Sequence, residues 1–587
     1  MSRALTWAHI RALALGRKRR LATANLLAIT AVALSVPIPL LLPLLVDEVL
    51  LQQGNKALQY MDMLLPSAWQ QATGYILLML LVSLALRLAS LWLSVLAVKR
   101  FAQLSKDIVY RIRDRLLAAL EHISMREYES LGTGRVAAHL LTDVETLDSF
   151  LGDTLSRALV ALLTLIGTSA ILLWMHWQLA LMILLLNPWV VFATIHLGKK
   201  VKWLKKQEND RTADFAQQLT ETLEAMHELR ASGRQRYFFA RLNKQALEVR
   251  DASSEAKWKT EAAGRSSGVL FQFGIDIFRA AAMLTVLLSD LSIGQMLAVF
   301  SYLWFMIGPV EQLLSLQYGF YAASAALNRV NTLLRCQTEA SYPAKRDPFS
   351  SQSVGIRFRG VHFRYANECV FKNLSFTINP GERVAIVGAS GGGKSTLVQL
   401  LLGLYESEQG AIEFNDVPRE VIGNDLVRQH VAVVLQHPAI FDDSVRANLC
   451  LGRTYTDQQC WNALQHAELA DLIRDLPDGL DSKLGRFGVK LSGGQRQRLA
   501  IARILLSDAK VVIMDEATSA LDTVTEQKVL RNLEAFFAGR TVIIIAHRLS
   551  AILSAERILV LHDGALVQSG THHALLKQSG LYKDLYG

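Results

Sequence analysis

A glycine-rich segment is the part of the chain whose residue types and spacing most clearly predict chemistry. It reads Gly388-Ala389-Ser390-Gly391-Gly392-Gly393-Lys394-Ser395-Thr396 and directly follows a short β-branched run. This is the GxxxxGK[ST] phosphate loop in its strand–loop–helix context. Its glycines let backbone N–H groups face phosphate oxygens, while Lys394 supplies charge and Ser395 offers a hydroxyl to Mg²⁺. The segment therefore predicts binding of ATP together with Mg²⁺.

Two adjacent carboxylates end another apolar run. Residues 511–514 are apolar throughout, which suits a buried parallel strand, and Asp515 and Glu516 follow directly. Ligands in open α/β sheets bind at the carboxyl ends of strands. We therefore interpret Asp515 as a Mg²⁺ ligand and Glu516 as the general base that polarises the attacking water.

A third motif joins a serine and two glycines to the start of a helical stretch. The residues are Leu491-Ser492-Gly493-Gly494-Gln495, followed by Arg496, Arg498 and Arg503. A helix that starts on glycines presents N–H donors and its positive dipole end. The motif alone is also typical of an ordinary helix cap. Next to a phosphate loop, we interpret residues 492–495 as a second phosphate clamp.

These motifs, in this order, resemble the nucleotide-binding domain of an ABC transporter over residues 355–587, with LSGGQ as the family signature. The resemblance implies further site residues. Gln436 corresponds to the Q-loop residue, which takes part in catalysis and Mg²⁺ binding. Tyr365 corresponds to the aromatic residue that stacks on adenine, and Asp522 belongs to the D-loop. His547 corresponds to the switch histidine that contacts the γ-phosphate.

One stretch departs from the family pattern. Shortly before the signature the chain reads Gly485-Arg486-Phe487-Gly488, where many exporters carry an acidic residue. In the family that residue is thought to help the cassette and the membrane domain communicate. The departure puts this contact in doubt and leaves the ATP chemistry untouched.

Hydropathy divides the chain near residue 330. Hydrophobic residues make up 51% of the 587 residues and charged residues only 19%, against roughly a quarter charged in soluble chains. Six apolar stretches approach the roughly 20 residues that a span requires. They lie at 22–46, 74–98, 157–175, 178–197, 266–289 and 293–315. The sequence therefore predicts a six-helix, all-α transmembrane domain.

Basic residues predict the orientation of these spans. They cluster at 17–20, 99–100, 199–206 and 257–265, whereas the opposite loops are short or carry few basic residues. By the positive-inside rule both termini are cytoplasmic. The net charge of +10 is thereby explained by membrane topology, so we do not expect nucleic-acid binding.

The expected domain order places the membrane domain first. Residues 1–335 form the transmembrane domain, 336–354 a linker, and 355–587 an α/β P-loop ATPase domain. Two long helical loops, at 99–156 and 198–265, continue out of the membrane. The resemblance implies that residues 126–145 and 222–233 within them are coupling helices, which press on the cassettes.

Several residues inside the predicted spans can be interpreted in two ways. Pro37, Pro39 and Pro43 would kink or unwind the first span, either to flex during transport or as static packing. Arg87, Asp276 and Arg279 are charges in costly surroundings. Asp276 and Arg279 share a helix face and could neutralise each other, or either could face substrate.

Over its whole length the chain resembles the exporter half-transporters, the group that includes multidrug exporters and the lipid A flippase. The resemblance implies a dimer in the bacterial inner membrane, with the signature of one chain facing the phosphate loop of another. Intact catalytic elements favour a homodimer. The apolar spans favour a small amphipathic or hydrophobic substrate, and a lipid-linked glycan, siderophore or small peptide stays open.

Other function classes remain as alternatives. The cassette could gate a channel or sense a ligand without net transport, although the intact Glu516 and His547 argue against this. The six spans argue against a soluble ABC ATPase that acts on DNA or ribosomes. An importer is disfavoured because importers usually keep membrane and cassette domains on separate chains.

Overall fold

The computed structural model describes residues 4–52, 56–288, 291–365, 368–389, 391–485, 488–546 and 548–586. Contacts divide the chain into two compact units. The membrane unit comprises residues 1–120 and 134–335, and the nucleotide unit comprises 121–133 and 336–587. The short segment 121–133 therefore leaves the first unit in sequence and packs within the second.

The membrane unit consists of helices. In chain order they are α1 Trp7–Leu15, α2 Lys18–Ser35, α3 Leu41–Pro43, α4 Lys56–Leu64, α5 Ala72–Glu121, α6 Met125–Leu131 (which packs within the nucleotide unit), α7 Thr133–Ala138, α8 Val144–Ser149, α9 Leu155–Met175, α10 Trp177–Glu224, α11 Met226–Ala231, α12 Gln235–Leu288 and α13 Ile293–Arg335. Short 3₁₀ turns lie at Ile38–Leu40 and Ser67–Trp69, and π-helical turns at Leu44–Leu50, His139–Asp143 and Phe150–Thr154.

The first span is interrupted where its prolines predict. Regular helix α2 stops at Ser35, and 3₁₀ and π-helical turns follow. Each proline removes a backbone N–H, so carbonyls in the preceding turn lose their intrahelical partner. The hydroxyl of the fully buried Tyr302 donates to the carbonyl of Val36 at 2.8 Å. A neighbouring helix thus satisfies a backbone group that would be costly to leave unpaired inside a membrane.

Four helical stretches of the described residues are long and apolar enough to cross a membrane. They are Lys18–Leu50, Ala72–Glu121, Thr133–Met175 and Ile293–Arg335. These coincide with expected spans one, two, three and six. The expected fourth and fifth spans fall on α10 and α12, where the side chains of residues 182–202 and several residues of 264–271 lie outside the described set. The count of six spans stays a prediction.

Two further expectations about the spans are met. Helix α9 ends at Met175 and α10 begins at Trp177, so the turn between the third and fourth spans is as short as the sequence predicts. His176 has extended backbone angles there, which separates the two helices. Asp276 and Arg279 form an ion pair at 3.5 Å, which agrees with the first of the two readings given for them, and contact with substrate stays a prediction.

The nucleotide unit contains two sheets and surrounding helices. Its strands are β1 Ile356–Tyr365, β2 Glu368–Ile378, β3 Arg383–Gly388, β4 Gln409–Phe414, β5 Val417–Pro418, β6 Val431–Val434, β7 Val511–Asp515, β8 Thr541–Ile545, β9 Arg557–His562 and β10 Ala565–Gly570. Its remaining helices are α14 Lys394–Leu401, α15 Arg419–Ile422, α16 Asn424–His430, α17 Val445–Cys450, α18 Asp457–His466, α19 Ala470–Arg474, α20 Gly493–Leu505, α21 Thr523–Phe537, α22 Leu549–Leu553, α23 His572–Lys577 and α24 Leu581–Tyr586.

The larger sheet positions the predicted chemistry. Its order is β10-β9-β3-β8-β7-β6, with parallel pairing from β9 through β6. Strands β3 and β7 are buried along nearly their whole length, which explains their continuous apolar sequence. Both strands flank β8 and run in the same direction, so their carboxyl ends open at one edge. The smaller antiparallel sheet, β2-β1-β4-β5, covers this core through residues such as Phe363 and Phe371.

The structure agrees with the expected fold class in outline: a helical domain with candidate membrane spans precedes an α/β domain that contains both sheets.

Candidate nucleotide site

The phosphate loop joins the end of β3 to the start of α14. Gly388 ends the strand, and Gly393 is the residue before the helix, with a left-handed φ of 86°. Residues other than glycine rarely adopt that backbone conformation. A Cβ at Gly393 would also lie 2.7 Å from the ring of Phe371. Only glycine therefore fits at this position of the loop.

The lysine of the loop is held in place by the loop itself. Lys394 Nζ donates to the carbonyls of Gly388 at 2.8 Å and Ala389 at 2.9 Å. Burial lowers the pKa of Lys394, while the nearby carboxylates of Glu516 and Asp515 act in the opposite direction. The side chain is 7% exposed, so its charge lies in a shielded position where phosphate oxygens would meet it at close range.

The two carboxylates lie at the end of β7. Asp515 is the last residue of the strand and is buried, and Glu516 follows it. Glu516 has a positive φ of 49°, a conformation unfavourable for a residue with a side chain. Its amide donates to the carbonyl of Ile545 at 2.9 Å. Backbone strain of this kind is concentrated at functional sites.

A buried glutamine that the sequence motifs did not single out holds this turn. Gln497, on α20, is 3% exposed and donates to the carbonyl of Glu516 at 3.2 Å and to Ser519 Oγ at 3.0 Å. Its own side-chain oxygen accepts from the amide of Ala520 at 3.0 Å. Gln497 thus ties the helix after the signature to the strained turn. Its signal in the sequence is a polar residue on the core-facing side of α20.

Gln436 meets the predicted general base. Its side-chain nitrogen donates to Glu516 Oε2 at 2.7 Å, which leaves the amide oxygen as the atom suited to a cation. Ser395 lies exposed in the first turn of α14, and Asp515 lies at the neighbouring strand end. Hydroxyl, amide and carboxylate oxygens are ligands that Mg²⁺ accepts together with water and phosphate oxygens. The residues present therefore fit a Mg²⁺ ion.

An aromatic cluster surrounds Tyr365, the residue predicted to stack on adenine. Tyr365, the last residue of β1, is half-buried, and its hydroxyl donates to Gln399 on α14. Its ring meets the ring of Tyr405 edge-on, with centroids 5.2 Å apart. Tyr405 in turn donates to Glu129 Oε2 on α6 at 2.5 Å. Burial, followed by the hydrogen bond to Glu129, raises the pKa of Tyr405, so this hydroxyl stays protonated and donating.

This chain of contacts connects the predicted adenine residue to α6 within the nucleotide unit. The sequence motifs did not single out Tyr405. The one sequence feature that points to this contact is Glu129, an acidic residue in the short helix α6. The backbone around α6 is tied to the same unit by the amide of Ser124, which donates to the carbonyl of Gln337 at 2.9 Å. A change at Tyr365 therefore has a short physical route to α6 through Tyr405 and Glu129.

The signature motif forms a helix cap. Ser492 precedes α20, its hydroxyl accepts from the amide of Gln495 at 3.3 Å, and Gln495 Oε1 accepts from the amide of Ser492 at 2.7 Å. The capping reading of this motif is thus correct for the chain itself. Ser492 and Gly493 remain exposed at the helix start. A Cβ on Gly494 would come within 2.8 Å of the Ala520 carbonyl, so glycine is required there.

The D-loop aspartate also has a structural role. Asp522 caps α21 by accepting from the amide of Thr525 at 2.9 Å, and this backbone hydrogen bond lowers its pKa. Arg548 holds the loop through the carbonyls of Ser519 at 2.7 Å and Leu521 at 2.8 Å.

Some predicted residues receive no structural account. Ser390 and His547, and Arg486 and Phe487 of the departing stretch, lie outside the described residues. The remaining loop residues occupy the turn between β3 and α14, with Gly391 at a φ of 82° and Thr396 buried in the helix. The structure brings the phosphate loop, Asp515, Glu516 and Gln436 to one edge of the sheet. The signature lies on a separate helix, α20.

Sequence comparisons match both halves of the chain. Residues 371–519 match the family described as ABC transporter, and residues 23–310 match the family described as ABC transporter transmembrane region. The first match contains the phosphate loop and both carboxylates. The second contains all four candidate spans at least in part.

Relatives and a solved structure match most of the chain. An ATP-dependent lipid A-core flippase of Chromobacterium violaceum is 33% identical over 82% of this chain and 83% of its own length. A putative export ATP-binding/permease protein of Rickettsia bellii is 30% identical over 82% and 84% of the two chains. Among solved structures, a bacterial Atm1-family ABC exporter with ATP bound is similar, with a TM-score of 0.80, 25% identity and coverage of 97% and 98%.

Proposed function

The chain belongs to the ABC transporter family, and from that premise we propose that it exports or flips an amphipathic or hydrophobic substrate across the bacterial inner membrane. The observation that carries this proposal is that one chain contains both a multi-pass membrane region and a candidate ATPase site. In that site, the backbone of Glu516 is strained, and its carboxylate accepts a hydrogen bond from Gln436. A cassette built only to bind nucleotide would not require a positioned general base. Flippase and exporter names among the relatives support the same class.

The residues divide the ATP chemistry among them. Backbone N–H groups of residues 388–396 and the charge of Lys394 bind the phosphates, and Tyr365 stacks on adenine. Ser395, Asp515 and Gln436 would hold Mg²⁺, which supplies charge neutralisation to the phosphates when bound. Glu516 accepts a proton from the attacking water, and His547 contacts the γ-phosphate. The ends of β3 and β7 position the phosphate loop, Asp515 and Glu516 at one edge of the buried sheet.

A second copy of the chain completes the site in this proposal. Ser492, Gly493, Gly494 and Gln495 of one copy face the phosphate loop of the other, and Asp522 lies at the same contact. Support comes from the exposed start of α20, where Ser492 and Gly493 are open to a partner. Complete catalytic elements favour two identical copies. Native mass spectrometry of the purified complex tests this, because a partner of different mass would exclude the homodimer.

Membrane placement follows from the distribution of basic residues. We propose that both termini and the nucleotide unit are cytoplasmic, since the basic clusters flank the same ends of the spans. Labelling of single cysteines introduced at residues 18 and 70 in intact cells tests the orientation. An impermeant reagent should reach position 70 and not position 18.

The substrate class is supported by a cavity in the membrane unit. It has a volume of about 590 Å³ and lies between the proline-interrupted first span, α5 and α13. Its walls are mainly apolar, and Arg87, Ser83 and Ser301 are polar groups among them. A charge inside a span is expensive unless it is used or paired. An apolar cavity containing a guanidinium suits a substrate with a hydrocarbon part and an anionic group.

The Glu516→Gln variant offers the direct test. The variant should retain ATP and accumulate as dimers whose two nucleotide units stay in contact through the bound ATP. Mass spectrometry of extracts should then identify the amphipathic compound that co-purifies. That compound should stimulate ATPase activity of the parent protein in liposomes and appear on the opposite side in an ATP-dependent manner. ATPase stimulation with no movement of the compound would instead support a gating or regulatory membrane protein.

A variant of Arg87 tests the proposed substrate chemistry independently of the proposed ATP-driven export. Arg87→Gln should raise the substrate concentration for half-maximal stimulation about ten- to a hundredfold, the loss expected for a hydrogen bond to a charged group. Arg250→Gln, an exposed arginine beside Asp251 on α12, is the matched control. Unchanged stimulation in Arg87→Gln would remove the anionic-group requirement and leave ATP-driven export intact.

A further inference from the structure

A second cavity of the membrane unit lies beneath the N-terminal helix α1. It has a volume of about 670 Å³ and is lined by α1, α5, the start of α9 and the middle of α13. We call it the α1 cavity; its walls include Trp7, Arg11, Ile108, Leu155, Leu316 and Phe320. The cavity that contains Arg87 shares none of these residues. The two cavities are therefore separate features of one unit.

Specific contacts hold α1 in place above the cavity. The side chain of Asn331 accepts from the amide of Leu5 at 2.7 Å and donates to the carbonyl of Leu5 at 2.8 Å. The ring of Trp7 stacks on Phe320 with centroids 5.4 Å apart and meets Phe150 edge-on at 5.5 Å. These contacts fix the helix without filling the space beneath it. The cavity is thus preformed, as small-molecule sites usually are.

The lining combines hydrocarbon with one cation. Positions 7, 10, 11 and 14 share one face of α1 and all line the cavity. Trp7, Ile10 and Ala14 present apolar surface, and Arg11 is the one formal charge among the described lining residues. The nearby Arg17 and Arg20 both contact Asp107, at 3.1 and 2.5 Å. Their charge is already partly neutralised, whereas Arg11 is exposed at the cavity.

The position of the cavity along the spans indicates what reaches it. Leu155 and Leu316 lie at the predicted boundaries of the third and sixth spans, and the basic run 17–20 follows α1 directly. Tryptophan and arginine at such a boundary are typical of contact with lipid headgroups. These residues place the cavity at the predicted level of the headgroups and the first part of the acyl chains.

We propose that the α1 cavity binds an anionic phospholipid of the surrounding leaflet, with an acyl chain in the cavity and the headgroup phosphate on Arg11. The apolar walls match the acyl chain, and the guanidinium complements the phosphate. The bound lipid packs between α1 and α13, so it stabilises the contact between the N-terminal helix and the last span. This site does not depend on which compound the protein exports.

Native mass spectrometry of the full-length protein, released from nanodiscs of phosphatidylcholine with graded phosphatidylglycerol, tests the site. The parent should retain phosphatidylglycerol. Arg11→Gln should bind it about fivefold more weakly, the effect of one basic residue at an anionic surface. Arg19→Gln, a neighbouring exposed arginine that does not line the cavity, is the matched charge control and should behave as the parent.

Filling the cavity gives an independent test that leaves the charge unchanged. Ala14→Trp places a large ring in the space from α1, and Leu155→Trp does so from the opposite wall, in case one variant fails to fold. Either should lose the retained phosphatidylglycerol. Retention at the parent level in Arg11→Gln and in a folded filled variant would overturn the proposal. Three other outcomes would overturn it as well. Arg19→Gln could lose phosphatidylglycerol as strongly as Arg11→Gln, the cavity-filling variants could dissociate the dimer, or they could displace the exported compound instead of phospholipid.

Discussion

The two units of the chain differ in how far they leave large apolar side chains exposed. In the nucleotide unit, the apolar residues of β7, such as Ile513, are fully buried. In the membrane unit, Leu80 and Trp92 of α5 are 61% and 65% exposed. Water drives burial in the first case, whereas lipid is as apolar as leucine and drives none in the second.

That difference determines whether a buried polar group indicates catalytic chemistry or stabilises the packing of helices. In a buried sheet, a carboxylate at a strand end is expensive unless it has a task, so Asp515 and Glu516 indicate chemistry directly. In the membrane unit, polar groups such as Tyr302 and Asp143 instead hold helices together. The following changes test whether chemical effects and stability effects separate between the units in this way.

The largest effect is expected in the nucleotide unit. Glu516→Gln should lower ATP turnover about 10²- to 10⁴-fold, because the general base is lost while its shape is kept. ATP binding, measured by equilibrium dialysis, should remain. Glu534→Gln, an exposed residue of α21, is the control. Near-normal turnover in Glu516→Gln would show that the carboxylate at the strand end is structural.

A buried carboxylate of the membrane unit should affect stability instead. Asp143 accepts from the guanidinium of Arg329 at 2.7 and 2.9 Å and contacts His139 Nδ1 at 2.7 Å. Asp143→Asn should lower the free energy of unfolding by about 2 kcal/mol, the worth of hydrogen bonds to a charged group. Thermal unfolding in detergent measures this, with the exposed Asp153→Asn as control.

If Asp143→Asn instead left the unfolding temperature unchanged and abolished transport, the separation between the two units would fail. The membrane unit would then contain a functional carboxylate close to its helical core.

The contact between Tyr405 and Glu129 should give a smaller effect. Tyr405→Phe removes the hydroxyl that reaches α6 and keeps the ring against Tyr365. The loss of about 1.5 kcal/mol, the lower end for a hydrogen bond to a charged group, should reduce substrate stimulation of ATPase activity about tenfold. Basal ATPase activity should stay near that of the parent. A fall in basal activity and ATP affinity alone would assign Tyr405 to nucleotide binding. Tyr342→Phe removes a hydroxyl that donates to Glu406 instead, and serves as control.

The smallest effect concerns packing in the nucleotide core. Burial raises the pKa of the Cys460 thiol to about 11, and the side chain is fully buried, whereas Cys369 is exposed. At pH 8, iodoacetamide should modify Cys369 first and Cys460 last, because the thiolate is the reactive form. Peptide mass spectrometry over time measures both sites, with urea-unfolded protein as the reference. Equal rates in the folded protein would contradict the tight core.

The sequence by itself determined the features that depend on neighbouring residues. The phosphate loop, the carboxylate pair at the end of β7 and the helix cap at Ser492 are local patterns, and each lies where its pattern predicts. The irregular end of α2 likewise follows from proline geometry. The helical membrane domain and the sheet-containing domain followed from hydropathy and from alternating strands and helices.

Tertiary structure decided the contacts between residues far apart in the chain. Only packing brings Gln497 under the carbonyl of Glu516, places Glu129 against Tyr405, and leaves a cavity between α1 and α13. These pairs share no spacing rule, because their distance depends on how separate helices and strands pack. In the membrane unit the limitation is greatest: apolar faces that contact lipid and apolar faces that contact protein have the same composition.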